Sequence, residues 1–418
     1  MPSRLIGVLG IFVFLAVAYA FSQNRKAIRW KTVAMGMLLQ VTFAVCLLGI
    51  PAFGIPGVFR FVFEFLNELV SGVIGFTSAG SQFLFGSLAE AKDPWGFIFA
   101  FRALPSIIFF SGLMAVLFHL GILQKVVKGV AWVMQKTMKT SGAETLSGAA
   151  NIFVGQTEAP LIIKPYVASM TKSEIYCIMV GGMATIAAGV EAAYVSMLHS
   201  RIPEIAGHLL TASCMSAVTG LVVSKIIIPE TGKPVTANFV KVPEVKADSN
   251  AIEALSRGAS EGVQLAINVA AMLIAFIAML ALVDAGIAKL GIWFGISENL
   301  SFSIILGYLC RPFAWLLGVP WSEATFVGKL IGEKVMINEF VAYVHLAKDG
   351  ALISDRSVII SSYALCGFAN FSSIGIQLGG LGSIAPSQRP TLAKLGFLAV
   401  LGGTLATLMS AAVAGLLY

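Results

Sequence analysis

The chain has 418 residues, 57% of them hydrophobic and only 12% charged, with a mean hydropathy of +0.88. That balance excludes the soluble globular classes, and recurring apolar runs of about 20 residues point to an all-α polytopic membrane protein. The net charge of +7 is carried by connecting segments rather than one face, so it reads as positive-inside topology and not as a nucleic-acid surface. Five scattered cysteines (Cys46, Cys177, Cys214, Cys310, Cys366) and four histidines without ligand spacing give neither a disulfide framework nor a metal motif.

Taken in chain order, Leu5–Phe21 predicts a first, retained transmembrane helix. The four cations of Arg25, Lys26, Arg29 and Lys31 set the following loop in the cytoplasm and the N-terminus outside. A second helix spans about Thr32–Ile50. Around Arg60–Glu68 the polar residues fall on one stripe among phenylalanines, which predicts an interfacial amphipathic helix. Helix three covers about Trp95–Leu123, and Lys125, Lys128, Lys136 and Lys139 follow it on the inside. Ser141 and Glu144 have capping-box spacing and open an arm that climbs to Gly155. Gly155-Gln156-Thr157-Glu158-Ala159-Pro160 sets an amide, a hydroxyl and a carboxylate at membrane depth, between a glycine and a proline. An uninterrupted helix is excluded there, because Pro lacks the backbone donor and a charge at a helix centre costs roughly 2.5–3.5 kcal/mol. The segment reads as the tip of a re-entrant hairpin, since Lys164 and Lys172 return the chain to the same side.

Helix four, about Glu174–Leu198, carries Gly181-Gly182 and Thr185 to Gly189 in mid-span, a polar break whose carbonyls suit a cation. Helix five is about His208–Ile228. The cytoplasmic connection from Pro229 to Gly258 contains Lys233, Lys241, Lys246 and Arg257, and helix six is about Glu261–Leu290. From Ser301 to Leu346 no clean span can be drawn through Arg311-Pro312, Gly318 and the charges Glu323, Lys329, Glu333, Lys334 and Glu339; this predicts a second re-entrant hairpin. Lys329 and Lys334 stand ready to pair with Glu323 and Glu333, whereas Glu158 has no cation nearer in sequence than Lys164. Helix seven, about Ser357–Leu378, is broken at Gly367–Gly375, and helix eight is about Leu392–Leu417, ending outside.

Helix, acidic-tipped hairpin, broken helix and plain helix thus occur twice with opposite orientation, an inverted repeat of the kind that puts substrate and ion near the midplane. The expected organisation is N-terminal scaffold and interfacial helices (1–94), a first repeat (95–258) and a second, inverted repeat (259–418), with eight transmembrane helices and two hairpins. The polar clusters at Asn151 with Gln156–Glu158, at Thr185-Ile186, at Asn338-Glu339 and at Asn370 with Ser372-Ser373 converge in this scheme. Their carboxylates, amides and hydroxyls suit a neutral polyhydroxylated solute, with Phe368 to pack on a ring, and oxygen donors at a helix break suit Na+. No activated nucleophile, phosphate loop or metal cluster argues for an enzyme.

Three motifs, Gly-Gln-Thr-Glu-Ala-Pro-Leu at 155–161, Gly332-Glu333-Lys334 with Asn338–Tyr343, and Gly367–Gly375, resemble the signatures of the concentrative nucleoside transporter family, in its order and over nearly the whole chain. The resemblance, closest to the bacterial, sodium-coupled type, implies a homotrimer in the inner membrane that imports nucleosides such as uridine with Na+ by an elevator movement. By motif position Gln156, Thr157 and Glu158 would face the nucleobase, with Val190 and Phe368 packed on it, and Glu339, Asn370 and Ser373 would hold the ribose. The sodium site would fall on the side chains of Asn151 and Thr185 and the carbonyls of Val154 and Ile186. Proton-coupled bacterial members tend to carry Ser-Glu-Asn where this chain has Thr157-Glu158-Ala159. The alternatives are a proton-coupled symporter, with Glu158 or Glu339 protonated, and, from another class, a membrane-embedded enzyme acting on a nucleoside-bearing lipid. No cofactor is expected.

Overall fold

The computed structural model describes residues 2–89, 98–237, 248–293 and 301–418, and within them it is helical apart from one isolated bridge between Ile50 and Ile55. α1 (Pro2–Ala20), α2 (Trp30–Leu48) and α3 (Arg60–Phe85) come first. α4 (Phe99–Arg102) and α5 (Leu104–His119) lead to α6 (Ile122–Met138) and α7 (Gly142–Ala150). The short α8 (Lys164–Val167) precedes α9 (Lys172–Ala184), α10 (Ala188–Leu198) and α11 (Ile205–Ile227). The second half runs through α12 (Ala251–Trp293), α13 (Phe302–Leu316), α14 (Ala324–Met336) and α15 (Glu339–Asp349). It ends with α16 (Asp355–Leu365), α17 (Phe371–Ile384) and α18 (Arg389–Leu417).

The centre of the bundle is made by α9, α11, α16 and α18, which pack on one another. Every residue of α9 from Ser173 to Ala184 is buried, and nearly all of α11 is too. Their small residues, such as Ala212, Ala406 and Ala411, let the backbones approach closely, the packing mode that replaces hydrophobic driving force in lipid. α5 and α12 form a separate, extensive pairing whose outer face leaves Ile274 and Leu282 exposed. Ahead of α12, Asp248 accepts two hydrogen bonds from Arg257, at 2.8 and 2.9 Å, which hold its carboxyl below the usual carboxylate range.

Among the described residues seven helical stretches are long and apolar enough to cross a membrane by length and composition, and Arg4–Ala20 and Phe302–Leu316 are shorter apolar helices. Helices four and seven are broken where the glycines and polar residues predict: α9 ends at Ala184 and α10 begins at Ala188, and α16 ends at Leu365 and α17 begins at Phe371. The capping box at Ser141 and Glu144 forms, and a second one forms at Thr171 and Glu174 at the start of α9.

The segment expected as an interfacial amphipathic helix is helical and continues for 26 residues as α3, and Arg60–Ala89 is long and apolar enough to cross a membrane by length and composition. Two expectations are corrected. Helix three is stepped at Ala103 and stops at His119; Lys125, Lys128 and Lys136 lie on a separate amphipathic helix, α6, with Leu123, Val127, Ala131, Met134 and Met138 buried, and Lys139 caps its end. Arg311-Pro312 does not interrupt the chain. α13 runs through it with Pro312 inside the helix, and Arg311 reaches out to the carbonyl of Trp321 at 3.0 Å and over its ring. The expected start of helix three at Trp95 and the loop lysines Lys241 and Lys246 lie outside the described residues.

Candidate functional site

The first hairpin tip is built by a polar turn. α7 ends at Ala150, Asn151 to Glu158 form turns, and the chain returns from Ala159 through a 3-10 turn led by Pro160. The tip docks on the break of helix four, where the amide of Ala188 donates to the carbonyl of Phe153 at 3.3 Å. The second hairpin is α14 and α15, with Asn338 between them; its side chain caps α15 by accepting from the amide of Val341 at 3.0 Å. The two helix breaks meet directly, the amide of Phe368 donating to the carbonyl of Thr185 at 3.3 Å. Gly367 makes that meeting possible: a Cβ there would sit 2.9 Å from the carbonyl oxygens of Met183 and Ala184.

Around this junction the expected site residues fall into three groups. In the first, Glu339 is buried and its two oxygens are taken separately, one by Asn370 Nδ2 at 2.8 Å and the other by the hydroxyl of Tyr194 at 3.2 Å. Asn370 is also the cap of α17, accepting from the amide of Ser373 at 2.9 Å and the hydroxyl of Ser372 at 2.7 Å. In the second, Gln156 Nε2 donates to Ser373 Oγ at 3.3 Å, and the Thr157 hydroxyl donates to Glu158 at 2.9 Å. Glu158 is exposed and makes no ion pair among the described residues. Val190 is buried near the start of α10, and Phe368 is half-buried at the break.

The third group is Asn151, Thr185, Val154 and Ile186. Asn151 is 1% exposed, yet neither Oδ1 nor Nδ2 has a partner among the described residues. Its Nδ2 lies against the last turn of α9, 3.7 Å from where a Cβ of Gly181 would stand. Thr185 Oγ1 donates back to the Gly181 carbonyl at 3.0 Å and keeps lone pairs free. The carbonyls of Val154 and Ile186 accept no backbone hydrogen bond among the described residues. A buried orphan amide costs about 1–3 kcal/mol, and an amide oxygen, a hydroxyl and two carbonyls are the hard oxygen donors that a small cation replaces its water with. The residues fit Na+.

Of the ion pairs foreseen for the second hairpin, Glu333 takes His345 at 2.8 Å and Lys329 at 4.0 Å, and Glu323 instead accepts from Ser354. Lys334 pairs with neither. It donates to the carbonyl of Ala364 and the hydroxyl of Thr407, both at 2.8 Å, so its cation rests against the C-terminal end of α16.

Two residues that sequence reading passes over belong to the site. Tyr194 holds Glu339 and stacks on Tyr343, ring centroids 3.9 Å apart at 14°, with Phe340 edge-on at 4.8 Å. Gln377, 1% exposed, donates to Gln156 Oε1 at 3.0 Å and to the Met179 carbonyl at 2.9 Å. The available signal is a lone amide in the apolar run from Ile374 to Leu381.

Family models for the Na+ dependent nucleoside transporter match the chain at residues 9–88 (N-terminus) and 208–415 (C-terminus), and a nucleoside recognition model matches residues 100–201. An uncharacterized transporter of Haemophilus influenzae is 45% identical over 99% of this chain and 98% of its own length. Sodium/nucleoside cotransporter 1 of Rattus norvegicus is 42% identical across the whole chain, which spans 64% of it. Among solved structures, CNTnw in an inward-facing substrate-bound state superposes with a TM-score of 0.90 at 43% identity, covering 99% of this chain and 98% of that one. A doubly substituted CNTnw in an outward-facing state superposes at 0.91 and 42% identity, with the same coverage.

Proposed function

The chain belongs to the concentrative, Na+ dependent nucleoside transporter family, and from that premise we propose that it imports nucleosides by cotransport with Na+ through elevator-type alternating access, as a homotrimer in a bacterial inner membrane. One observation carries the reading. The first turn of α17 touches both hairpins at once, Asn370 holding Glu339 of the second and Ser373 accepting from Gln156 of the first. A solute lying against that turn is read from two sides.

In this mechanism the ribose hydroxyls donate to Glu339 and meet Asn370 and Ser373. Charge-assisted hydrogen bonds of this kind contribute about 1.5–3 kcal/mol each. The nucleobase meets the amide of Gln156, the hydroxyl of Thr157 and the carboxylate of Glu158, with Val190 and Phe368 packing on its faces. Asn151, Thr185 and the carbonyls of Val154 and Ile186 hold the cotransported Na+ beside the same tip. One charge moving inward gains about 2.3 kcal/mol per 100 mV, roughly fifty-fold accumulation before the ion gradient itself is added. Element order supports the inverted repeat: long helix, amphipathic helix, two arms, broken helix and single helix recur from α5 and again from α12. The existence of inward- and outward-facing forms of CNTnw supports alternating access.

The test is labelled uridine uptake into proteoliposomes under an inward sodium gradient, against choline at constant pH, with and without a proton gradient. Uptake that requires sodium is expected. Uptake driven by protons alone keeps nucleoside transport and removes the sodium site, and no uptake of uridine or adenosine under either gradient overturns the reading.

A further inference from the structure

We infer that Gln377 is a positioning residue for nucleobase recognition, fixing the amide of Gln156 so that it offers a donor, and not an acceptor, to the base. The inference rests on the reading of Gln156 as a nucleobase contact. Gln377 lies on α17 one turn beyond Ser373, and the two side chains grip opposite ends of one amide: Gln377 Nε2 donates to Gln156 Oε1 at 3.0 Å, and Gln156 Nε2 donates to Ser373 Oγ at 3.3 Å.

The direction of these bonds is set by a third group. Gln377 Nε2 also lies 2.9 Å from the carbonyl oxygen of Met179, which can only accept. The Gln377 atom facing that carbonyl must therefore be the nitrogen, and the Gln156 atom sharing the same nitrogen must be the oxygen. With one N–H of Gln156 spent on Ser373, the second N–H is its remaining donor. Room for the arrangement comes from Gly182 on α9, where a Cβ would stand 2.8 Å from Gln156 Cβ and 3.0 Å from Gln377 Nε2. Gln377 leaves its own Oε1 buried without a partner among the described residues, a loss it sustains while its nitrogen binds two acceptors. Nothing in an ordinary helix–helix contact calls for that trade; orienting Gln156 does. The ligand that fits presents an acceptor at this edge, an exocyclic carbonyl or an unsubstituted ring nitrogen.

The experiment measures uridine uptake by the full chain in proteoliposomes for the parent, Gln377→Met, Gln377→Glu, Gln156→Ala and the double variant Gln156→Ala/Gln377→Met. Gln377→Met keeps the volume and removes the donor; it is expected to raise the KM for uridine five- to tenfold, with the maximal rate and the half-saturating sodium concentration within twofold of the parent. Gln377→Glu keeps the shape but lacks the NH2 group and should raise KM as much. In the Gln156→Ala background the Gln377 change should add less than twofold, because its effect passes through Gln156. A parental KM in Gln377→Met or in Gln377→Glu overturns the inference, as does a full additional loss in the double variant or a shift in sodium dependence, which would mark a purely structural role. If the parent itself takes up no nucleoside, the functional reading fails instead.

Discussion

The amide of Phe368 lies 3.3 Å from the carbonyl of Thr185, so the interruptions of the two broken helices are hydrogen-bonded to each other. Two backbones that each lost their own helical partners satisfy one another here, as irregular backbone at membrane depth requires. The contact needs Gly367, since a methyl there would also lie 2.8 Å from Thr407 Cγ2. Gly367→Ala is expected to destabilise the protein by about 1–3 kcal/mol through overpacking, read as a lower melting temperature in detergent together with reduced uptake. An unchanged melting temperature would show that the breaks part without cost.

Asn151 keeps both amide atoms buried and, among the described residues, unpartnered. Replacing it by alanine should raise the half-saturating sodium concentration about tenfold, equivalent to ~1.4 kcal/mol, with the nucleoside KM at saturating sodium little changed. Uptake measured across a sodium series decides it; an unaltered sodium curve takes Asn151 out of the ion site.

Glu339 receives one donor from each side, Asn370 and Tyr194. Glu339→Gln replaces one accepting oxygen with an NH2 donor group, and should raise the uridine KM roughly 10–100-fold, in line with ~1.5–3 kcal/mol for a hydrogen bond to a charged group. The penalty that the parent shows for 2′- and 3′-deoxy analogues should shrink in the variant. Transport of uridine like the parent's would refute the ribose assignment.

Tyr194 combines a hydrogen bond with a ring stack, and two variants separate them. Tyr194→Phe loses only the hydroxyl, about 1 kcal/mol, so KM should rise about five-fold at an unchanged melting temperature. Tyr194→Ala also loses the stack on Tyr343 and should lower the melting temperature as well. A parental KM in Tyr194→Phe would show that the hydroxyl is not what holds Glu339.

The sequence announces the tips and the breaks because a polar residue or a glycine inside an apolar run has few explanations. That is why Asn151 to Glu158, Thr185, Asn338, Glu339 and Asn370 stand out without coordinates. Partners supplied from far along the chain are harder to read. Tyr194 and Gln377 act on residues 145 and 221 positions away, and each looks locally like an ordinary member of a buried helix. α6 is hidden when its lysines are counted as loop charge, although Leu123, Val127, Ala131, Met134 and Met138 recur at helical spacing. Pro312 suggests a break on composition alone, whereas α13 carries it inside the helix.

At the foot of the first hairpin, α7 and α9 begin side by side, each with its own capping box. Ser141 of one donates to Glu174 of the other at 2.7 Å, and the buried Lys225 of α11 binds Glu144 of the first and, at 2.9 Å, Ser173 of the second. Removing one member of such a buried pair costs about 3–5 kcal/mol, so the clasp does not open in ordinary motion. Asn151 and Thr185 sit at the far ends of the two helices it fastens. A cation between them would therefore ride with its ligands at constant spacing, like a load bolted to a moving frame. Any change in grip then falls to the elements outside the clasp, α14 and α15 with α10 and α17.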